Sequence, residues 1–186
     1  MIELQHYAEP VELGKYRSQY QDGSWDDPAF KPVRSIVRHQ LNHEQEGLCI
    51  YCEGYLHEDA GHVEHIKSKG LNSALAFAYD NLAHSCDGPG HCGHHKKRQV
   101  LPVEPRPGCN RFFVLMAQDG KIIPTPGLTT EETQQARESL RVLGLNAPHL
   151  ARQRKNFADT VLFLSNKPEV DAFLATAPFR WIMRGI

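Results

Sequence analysis

The sequence has no long apolar run, and no stretch of it approaches the roughly 20 residues that a membrane-spanning helix needs. Its first ten residues, MIELQHYAEP, lack the basic start and apolar centre of a signal peptide, so we expect a cytoplasmic protein with no membrane partner. It also has little net charge, −1 from 21 basic and 22 acidic residues, which argues against a protein that coats nucleic acid through overall positive charge. Hydrophobic residues make up 40% of the 186 residues, enough for a folded chain rather than a disordered one.

Histidine and cysteine are concentrated in the middle of the chain. Seven of the eleven histidines fall between positions 57 and 95, and four of the five cysteines bracket or share that stretch. In a reducing cytoplasm, cysteines grouped in this way are more often metal ligands than disulfide partners. We therefore expect this segment to carry the function of the chain.

The chain divides into three segments. Residues 1–46 begin with an irregular stretch and continue as a helix over about Val33–Gln45, where apolar residues repeat at helical spacing. Residues 47–101 hold the cysteines and histidines in short strands and turns. Residues 102–186 begin with a Pro/Gly-rich connector and a β-hairpin about Asp119-Gly120. Three helices are predicted to follow: one from a Thr129 cap to about Leu143, a second over Ala147–Ser165 and a short third around Pro168–Ala175. The apolar side of the second comprises Leu150, Phe157, Val161, Leu162 and Leu164.

Cys49-Ile-Tyr-Cys52 predicts one half of a zinc site, because two thiolates separated by two residues can point at one ion. Cys86 and Cys92 supply a second pair with a wider spacing. Four thiolates fit the closed tetrahedral site of a structural Zn²⁺ in a small domain. The spacing leaves His91 open as a ligand in place of Cys86 or Cys92, and buried free thiols are the alternative.

A carboxylate, several histidines and an amide lie between and beyond these cysteines. Glu64 and His65 are adjacent, so on an extended strand they point to opposite sides, and one can bind a metal while the other faces a substrate. Asn81 follows, and a run of histidines and lysines, 94–97, follows the last cysteine of the pair. Phosphodiester hydrolysis needs these parts: a base for water, a divalent cation and positive side chains for the backbone.

These residues resemble the HNH nucleases of the zinc-knuckle type, whose fold is the ββα-metal fold or His-Me finger. The motifs that carry the resemblance are Cys49-x-x-Cys52, Glu64-His65, Asn81 and Cys92-x-His94-x-x-Lys97. The wider frame, with Leu48–Glu53 and Leu143–Asn146, is similar to the PtuB family of Septu-type and retron-associated anti-phage systems. The resemblance covers roughly Arg34 to Arg154. It implies an α+β fold with a ββα-metal core on a four-cysteine zinc knuckle, an N-terminal helix and a C-terminal helical lobe.

The resemblance also implies a role for each motif residue. His65 would be the general base, Glu64 a ligand of the catalytic metal, and Asn81 the residue that orients the base through hydrogen bonds to its loop. His94 would be the second ligand of that metal, with His95 as the competing position. The lysines expected to contact phosphates are Lys67, Lys96 and Lys97.

Two positions depart from the family pattern. Many relatives place the second metal ligand directly after the cysteine, where this chain has Gly93, and this leaves both His94 and His95 open. Ser68 stands where a proline commonly follows the first motif. The resemblance implies Mg²⁺ or Mn²⁺ as the catalytic cation, with Zn²⁺ also open, in addition to the structural Zn²⁺.

The resemblance implies a metal-dependent endonuclease that hydrolyses DNA as the effector of an anti-phage defence complex. The implied partners are the DNA substrate, a PtuA-like ABC-type ATPase that docks on the C-terminal helices and, in retron systems, a reverse transcriptase with its RNA–DNA. A nearly neutral chain should bind DNA weakly alone, which favours delivery of the substrate by a partner. The alternative is a non-catalytic zinc-knuckle module that binds nucleic acid or bridges proteins, but such a module needs no second set of metal ligands.

Overall fold

A computed structural model describes residues 1–20, 23–71, 73–164 and 166–185, and within them the fold is α+β. The helices are α1 (Val11–Gln19), α2 (Lys31–Glu44), α3 (Cys92–Lys96), α4 (Thr130–Val142), α5 (Pro148–Phe163), α6 (Lys167–Leu174) and α7 (Arg180–Met183). The strands are β1 (His62–His65), β2 (Leu82–Ser85), β3 (Phe113–Met116) and β4 (Lys121–Pro124). None of the described helices is long and apolar enough to cross a membrane.

Two helices precede the first strand, where the sequence predicted one. Helix α2 begins two residues before the predicted start, and Val37 and Leu41 of its predicted apolar stripe are fully buried. Ile36 belongs to the same stripe at helical spacing but is 40% exposed. Helix α1 occupies part of the stretch predicted to be irregular, and that prediction is wrong there. The helix buries only Leu13 and Tyr16, too few apolar residues to show a helical period.

Strands β1 and β2 form an antiparallel pair in which Glu64 lies opposite Ala83 and His65 lies opposite Leu82. Because neighbouring residues of a strand point to opposite faces, His62 and Glu64 share one face and His65 lies on the other. Helix α3 follows β2 in the chain, so the predicted order of strand, strand and helix is present.

Strands β3 and β4 form the predicted hairpin. Gly120 in its turn has φ of +70°, and a Cβ atom there would lie 1.9 Å from the carbonyl oxygen of Ala151. Only glycine therefore lets the turn pack against α5. Thr129 is the N-cap of α4, as predicted. Its side chain and that of Glu132 form a reciprocal capping box.

Helix α5 joins the hairpin to the rest of the C-terminal segment. Its predicted end, Ser165, lies outside the described residues. Leu150 and Val161 are buried as predicted, but Leu162, predicted on the apolar side, is 62% exposed. Arg154 is fully buried, and its guanidinium donates hydrogen bonds to the carbonyl oxygens of Gly120 (2.8 Å) and Leu145 (2.6 Å).

One apolar core joins the cysteine segment to the C-terminal helices. Leu143 at the end of α4 is fully buried in the same cluster as Cys49 and Cys92, and its carbonyl oxygen accepts a hydrogen bond from the Cys92 backbone N–H (2.8 Å). Phe179 is 2% exposed and its N–H donates to the Glu53 carbonyl oxygen (2.9 Å). The C-terminal segment therefore supports the loops that carry the candidate ligands.

Candidate metal centres and active site

The four cysteines predicted to bind zinc converge, with all their sulfur atoms within 4.8 Å of one another. Cys49 Sγ lies 3.7 Å from Cys92 Sγ, and Cys52 Sγ lies 3.9 Å from Cys86 Sγ. Burial raises the pKa of the Cys92 thiol well above its ordinary value, so a bound cation is what would keep that sulfur ionised. A buried group of four sulfurs fits the closed site of a structural Zn²⁺.

Polar groups around the sulfurs fix their positions. The backbone N–H of Cys86 donates to Cys49 Sγ (3.4 Å). His91, which the spacing left open as a ligand, lies with Nδ1 3.0 Å from Cys92 Sγ and 3.8 Å from Cys86 Sγ. It therefore contacts both sulfurs of the second pair and can donate a hydrogen bond to a thiolate.

The Glu64 carboxylate is engaged on both oxygens. Its Oε1 lies 2.7 Å from Lys96 Nζ and accepts a hydrogen bond from the Tyr51 hydroxyl (3.3 Å), while its Oε2 lies 3.3 Å from His62 Nε2. Although burial alone would raise it, hydrogen bonds from His62 and the positive charge of Lys96 lower the pKa of Glu64. The carboxylate is therefore ionised, and Lys96 is its buried counter-ion.

His65 lies on the opposite face of β1, where its ring packs edge-on against Trp25 with ring centroids 4.4 Å apart. Its Nε2 lies 2.9 Å from the carbonyl oxygen of Ala76. Because a carbonyl oxygen only accepts, Nε2 carries the proton and Nδ1 of the neutral ring holds the lone pair. Burial lowers the pKa of His65, so the ring is neutral at cellular pH, as a general base must be.

Asn81, in a short 3₁₀ turn before β2, holds the loop that carries Ala76. Its Oδ1 accepts a hydrogen bond from the Lys67 N–H (2.8 Å), and its Nδ2 donates to the carbonyl oxygens of Lys67 (2.9 Å) and Leu75 (3.2 Å). These bonds join the two ends of the loop. Asn81 therefore fixes the segment whose carbonyl orients His65.

A second group of metal-ligand atoms lies on the Glu64 side of β1. The ligand atoms of His62, Asp87 and His94 lie within 4.8 Å of one another. Asp87 Oδ1 is 2.7 Å from His62 Nδ1 and 2.8 Å from His94 Nε2. His94 was predicted here, but the sequence analysis did not identify His62 or Asp87. The alternation along β1, which puts His62 on the face of Glu64, is the signal that indicates His62.

The structure separates the two histidines that the sequence left in competition. His95 Nδ1 lies 2.9 Å from the Val142 carbonyl oxygen, a contact that joins α3 to the end of α4. His94 instead reaches the second ligand group. Gly93 explains the departure from the family pattern, because a Cβ atom there would lie 2.6 Å from Glu64 Oε2 and 2.7 Å from His62 Nε2.

A cleft of 370 Å³ opens beside His62. Trp25, which packs on His65, lines the same cleft together with His62. One wall is basic, from the α2 residues Lys31, Arg34 and Arg38. Their spacing of three and four residues, which places them on one helix face, is a sequence signal that the analysis above did not use.

The three lysines predicted to contact phosphates occupy different positions. Lys67 is 57% exposed and lies 3.5 Å from Glu104, and Lys97 is exposed at the end of α3. Lys96 is 1% exposed and also donates to the His65 carbonyl oxygen (3.0 Å). Lys67 and Lys97 are therefore accessible to a substrate, whereas Lys96 is held inside the protein.

In comparison with known proteins, no family model matches the chain, but a named protein is similar to it. A protein of Vibrio cholerae serotype O1 biovar El Tor, whose name assigns it as an HNH endonuclease of retron Vc95, is 35% identical to this chain over 204 residues. The match covers 99% of this chain and 98% of that protein. The similarity therefore extends through the cysteine segment and the C-terminal helices alike.

Proposed function

Because the chain belongs to the HNH endonuclease family, we propose that it hydrolyses phosphodiester bonds of DNA as the nuclease of a retron-type anti-phage defence system. The observation that carries this proposal is His65, whose Nε2 is held by the Ala76 carbonyl oxygen at 2.9 Å. That contact leaves Nδ1 as the basic atom. A neutral, oriented imidazole that can accept a proton is what activation of water for attack on a phosphodiester requires.

His65 is the general base of this proposal. It takes a proton from the attacking water at Nδ1 while its Nε2–H stays bonded to Ala76. Asn81 holds the loop that carries this carbonyl, and Trp25 packs against the ring. The ring is therefore restrained on two sides, so that little reorganisation is needed when the proton moves.

The DNA backbone is proposed to follow the basic face of α2. Lys31, Arg34 and Arg38 line the cleft that opens at His62, and each can donate hydrogen bonds to phosphate oxygens. Lys67 and Lys97 are exposed, and they remain proposed phosphate contacts outside the cleft. A chain with net charge −1 thereby gains a local positive surface for an anionic substrate.

Two metal sites complete the proposal, in which β1, β2 and α3 are the ββα-metal core. The four cysteines hold a structural Zn²⁺. His94 would hold the catalytic divalent cation on the Glu64 side of β1, where His62 and Asp87 also converge. When bound, the cation would neutralise developing charge on the phosphate and the leaving oxygen. Imidazole and carboxylate groups are ordinary ligands of Mn²⁺ and Zn²⁺, so the residues present fit such a cation.

The partners proposed for this nuclease are a PtuA-like ABC-type ATPase and, in the retron, a reverse transcriptase with its RNA–DNA. The C-terminal helices are the proposed ATPase surface, since the end of α5 exposes Leu162 by 62% and Phe163 by 86%. Phe163→Ser is expected to abolish co-purification with a co-expressed, tagged ATPase. Val11→Ser, which alters a residue 65% exposed on α1, is the matched control. Equal recovery of both variants would contradict this surface.

Plasmid cleavage tests the proposed activity. The wild type, His65→Gln and the control His39→Gln are compared with Mg²⁺ and with Mn²⁺, each with and without the ATPase. Cleavage by the wild type and the control but not by His65→Gln supports the nuclease. DNA binding without cleavage under every condition would instead favour the non-catalytic zinc-knuckle module, for which the basic face of α2 supplies the surface.

A further inference from the structure

We propose that His62, Asp87 and His94 bind the catalytic divalent cation, and that Glu64 acts on it only through His62. The role of this cation in catalysis rests on the proposed nuclease function, whereas its binding does not. The three side chains come from β1, from the loop after β2 and from α3, and their ligand atoms lie within 4.8 Å of one another. A site that draws on three separate segments depends on the fold rather than on one local turn.

Glu64, the ligand expected from the motif, is already paired with a buried lysine inside the protein. Lys96 Nζ lies 2.7 Å from Glu64 Oε1, and the two side chains are 1% and 10% exposed. If the carboxylate turned to a cation, the Lys96 ammonium would lose the anion that compensates its burial. Removing one partner of a buried ion pair is strongly destabilising, so the pair resists this change.

The remaining contact of Glu64 fixes the orientation of His62. Glu64 Oε2 lies 3.3 Å from His62 Nε2, and a carboxylate accepts the proton that Nε2 carries. The other ring nitrogen, Nδ1, lies 2.7 Å from Asp87 Oδ1 and donates its proton to that carboxylate; a bound cation would take the place of this proton. Protein metal sites use the same arrangement: one ring nitrogen donates to a carboxylate, which orients the imidazole, and the other ring nitrogen binds the metal.

Gly93 accounts for the shift of the ligands away from the position that the family pattern predicts. The space beside its Cα is filled by Glu64 Oε2 and His62 Nε2, which a Cβ atom would meet at 2.6 and 2.7 Å. A side chain on residue 93 would therefore displace the Glu64 and His62 side chains from their present positions. His62, Asp87 and His94 supply the missing donors from around that position.

The three ligands are accessible from solvent. The exposed fractions of the His94, Asp87 and His62 side chains are 58%, 56% and 27%. Three protein ligands on one side of an ion leave positions for water and for phosphate oxygens on the other. His62 also lines the basic cleft, so the open side of the site is reached from the proposed path of the substrate.

The donor set predicts which cation binds. Two imidazoles and one carboxylate favour Mn²⁺, Co²⁺, Ni²⁺ and Zn²⁺ over Mg²⁺, which prefers oxygen ligands and retains its water. We therefore expect Co²⁺ to bind at concentrations at which Mg²⁺ does not.

Titration with Co²⁺ tests this site without any measurement of cleavage. The protein is first shown to contain one zinc ion per chain, and Co²⁺ binding is then followed by visible d–d absorption and by calorimetry. Binding at the proposed site adds d–d bands without the sulfur-to-cobalt charge-transfer band that would mark replacement of zinc among the cysteines. A charge-transfer band with no separate second binding event would overturn the proposal.

Single variants then identify the ligands. Asp87→Asn and His94→Gln are each expected to abolish measurable Co²⁺ binding, and Glu64→Gln to weaken it about 10- to 100-fold, as loss of a group that orients a ligand does. His39→Gln is the matched control, since His39 lies 3.0 Å from Asp59 in an exposed pair that no third ligand atom joins among the described residues. Unchanged Co²⁺ affinity in Asp87→Asn or His94→Gln would overturn the site.

Failure of this inference can be distinguished from failure of the nuclease function. Metal-dependent cleavage by an Asp87→Asn protein that binds Co²⁺ as tightly as the wild type would contradict the proposed metal site and support the nuclease function. Co²⁺ binding that depends on all three ligands, in a protein that cuts neither DNA nor RNA, would support the proposed metal site and contradict the nuclease function. Complete loss of binding in Glu64→Gln together with full binding in His62→Gln would make Glu64 the direct ligand and overturn the proposal.

Discussion

Within the part of the chain that the structure describes, two groups of side chains are able to bind metal, and they differ in exposure although they share backbone segments. Cys86 and Asp87 are adjacent, and Cys92 and His94 are two residues apart, yet one residue of each pair points to each group. The sulfurs are largely buried, whereas Asp87 and His94 are more than half exposed. Closed, buried coordination suits a structural ion, and open coordination suits a cation that must accept substrate oxygens.

Because the two groups share these segments, loss of one group should affect the other unequally. The loop after β2 and the first turn of α3 are held by the sulfur group, and the same segments present Asp87 and His94. Loss of the sulfur group should therefore destroy the second group, whereas loss of the second group should leave the sulfur group intact. The predictions below test this asymmetry and its limits.

The largest effect is expected for Cys49→Ser. A structural zinc ion contributes on the order of 10 kcal/mol to folding, so the variant should lose zinc and cooperative thermal unfolding and also fail to bind Co²⁺. Zinc content and circular dichroism measure the outcome. Cys109→Ser, which alters a buried thiol outside the group, is the control and should keep zinc. A zinc-free Cys49→Ser protein that unfolds at the wild-type temperature would remove the structural role of the sulfur group.

The next effect is expected for His65→Gln, which lies outside both groups. Loss of a general base lowers the rate of cleavage by about 10²- to 10⁴-fold. Zinc content and Co²⁺ affinity should stay at their wild-type values, because His65 lies on the face of β1 away from Glu64. A parallel loss of Co²⁺ binding in this variant would show that His65 belongs to the open group rather than to the base position.

A smaller effect is expected when the basic face of α2 is neutralised. In the variant Lys31→Ala/Arg34→Ala/Arg38→Ala, three phosphate contacts are removed, so the slope of log affinity against log salt should become less negative by about three. The matched control Lys121→Ala/Lys155→Ala/Lys167→Ala removes three cations that pair with neighbouring aspartates away from the cleft. DNA binding measured by fluorescence anisotropy decides between them, and equal slopes would contradict the proposed path.

The two groups were not equally predictable from the sequence. The sulfur group could be predicted because cysteine is chemically specific and the Cys49–Cys52 spacing fixes one local turn. Of the open group only His94 was predicted, since its convergence with His62 and Asp87 depends on strand register and on a loop that no local pattern specifies. The burial of Lys96 was equally unpredictable: it has the sequence context of a surface lysine, but its side chain lies against Glu64 inside the protein.

The wider fold shows the same division between local and long-range information. The hairpin turn at Gly120 and the Thr129 cap of α4 are local features, and both were predicted. Helix α1 has too few buried apolar residues to produce a period, and the exposure of Leu162 depends on what packs around α5. Patterns within about one turn were therefore sufficient where residues interact with near neighbours, and insufficient where distant segments decide burial.

Glu44 lies in neither group and provides a test of how independent they are. Its side chain is buried and accepts hydrogen bonds from the Tyr79 hydroxyl (2.8 Å), Gln40 Nε2 (3.0 Å) and the Tyr7 backbone N–H (3.1 Å), and His6 Nδ1 lies 3.0 Å from Oε2. Burial alone would raise its pKa, but these hydrogen bonds, that of His6 first, lower the pKa of Glu44 below its ordinary value.

Glu44→Gln is expected to have the smallest effect. Because the folded state favours the carboxylate, its contribution to stability is present above the unfolded pKa of about 4.3 and is lost as the pH falls through the lower folded pKa. The variant should therefore lose about 2 kcal/mol of unfolding free energy near neutral pH and less in acid, measured by urea denaturation across the pH range. An equal loss at every pH would contradict the ionic contribution. Zinc content and Co²⁺ affinity should be unchanged, since a few kcal/mol of global stability does not alter either ligand set. Weakened Co²⁺ binding in this variant would show that the open group depends on the stability of the whole fold and not on its own three ligands.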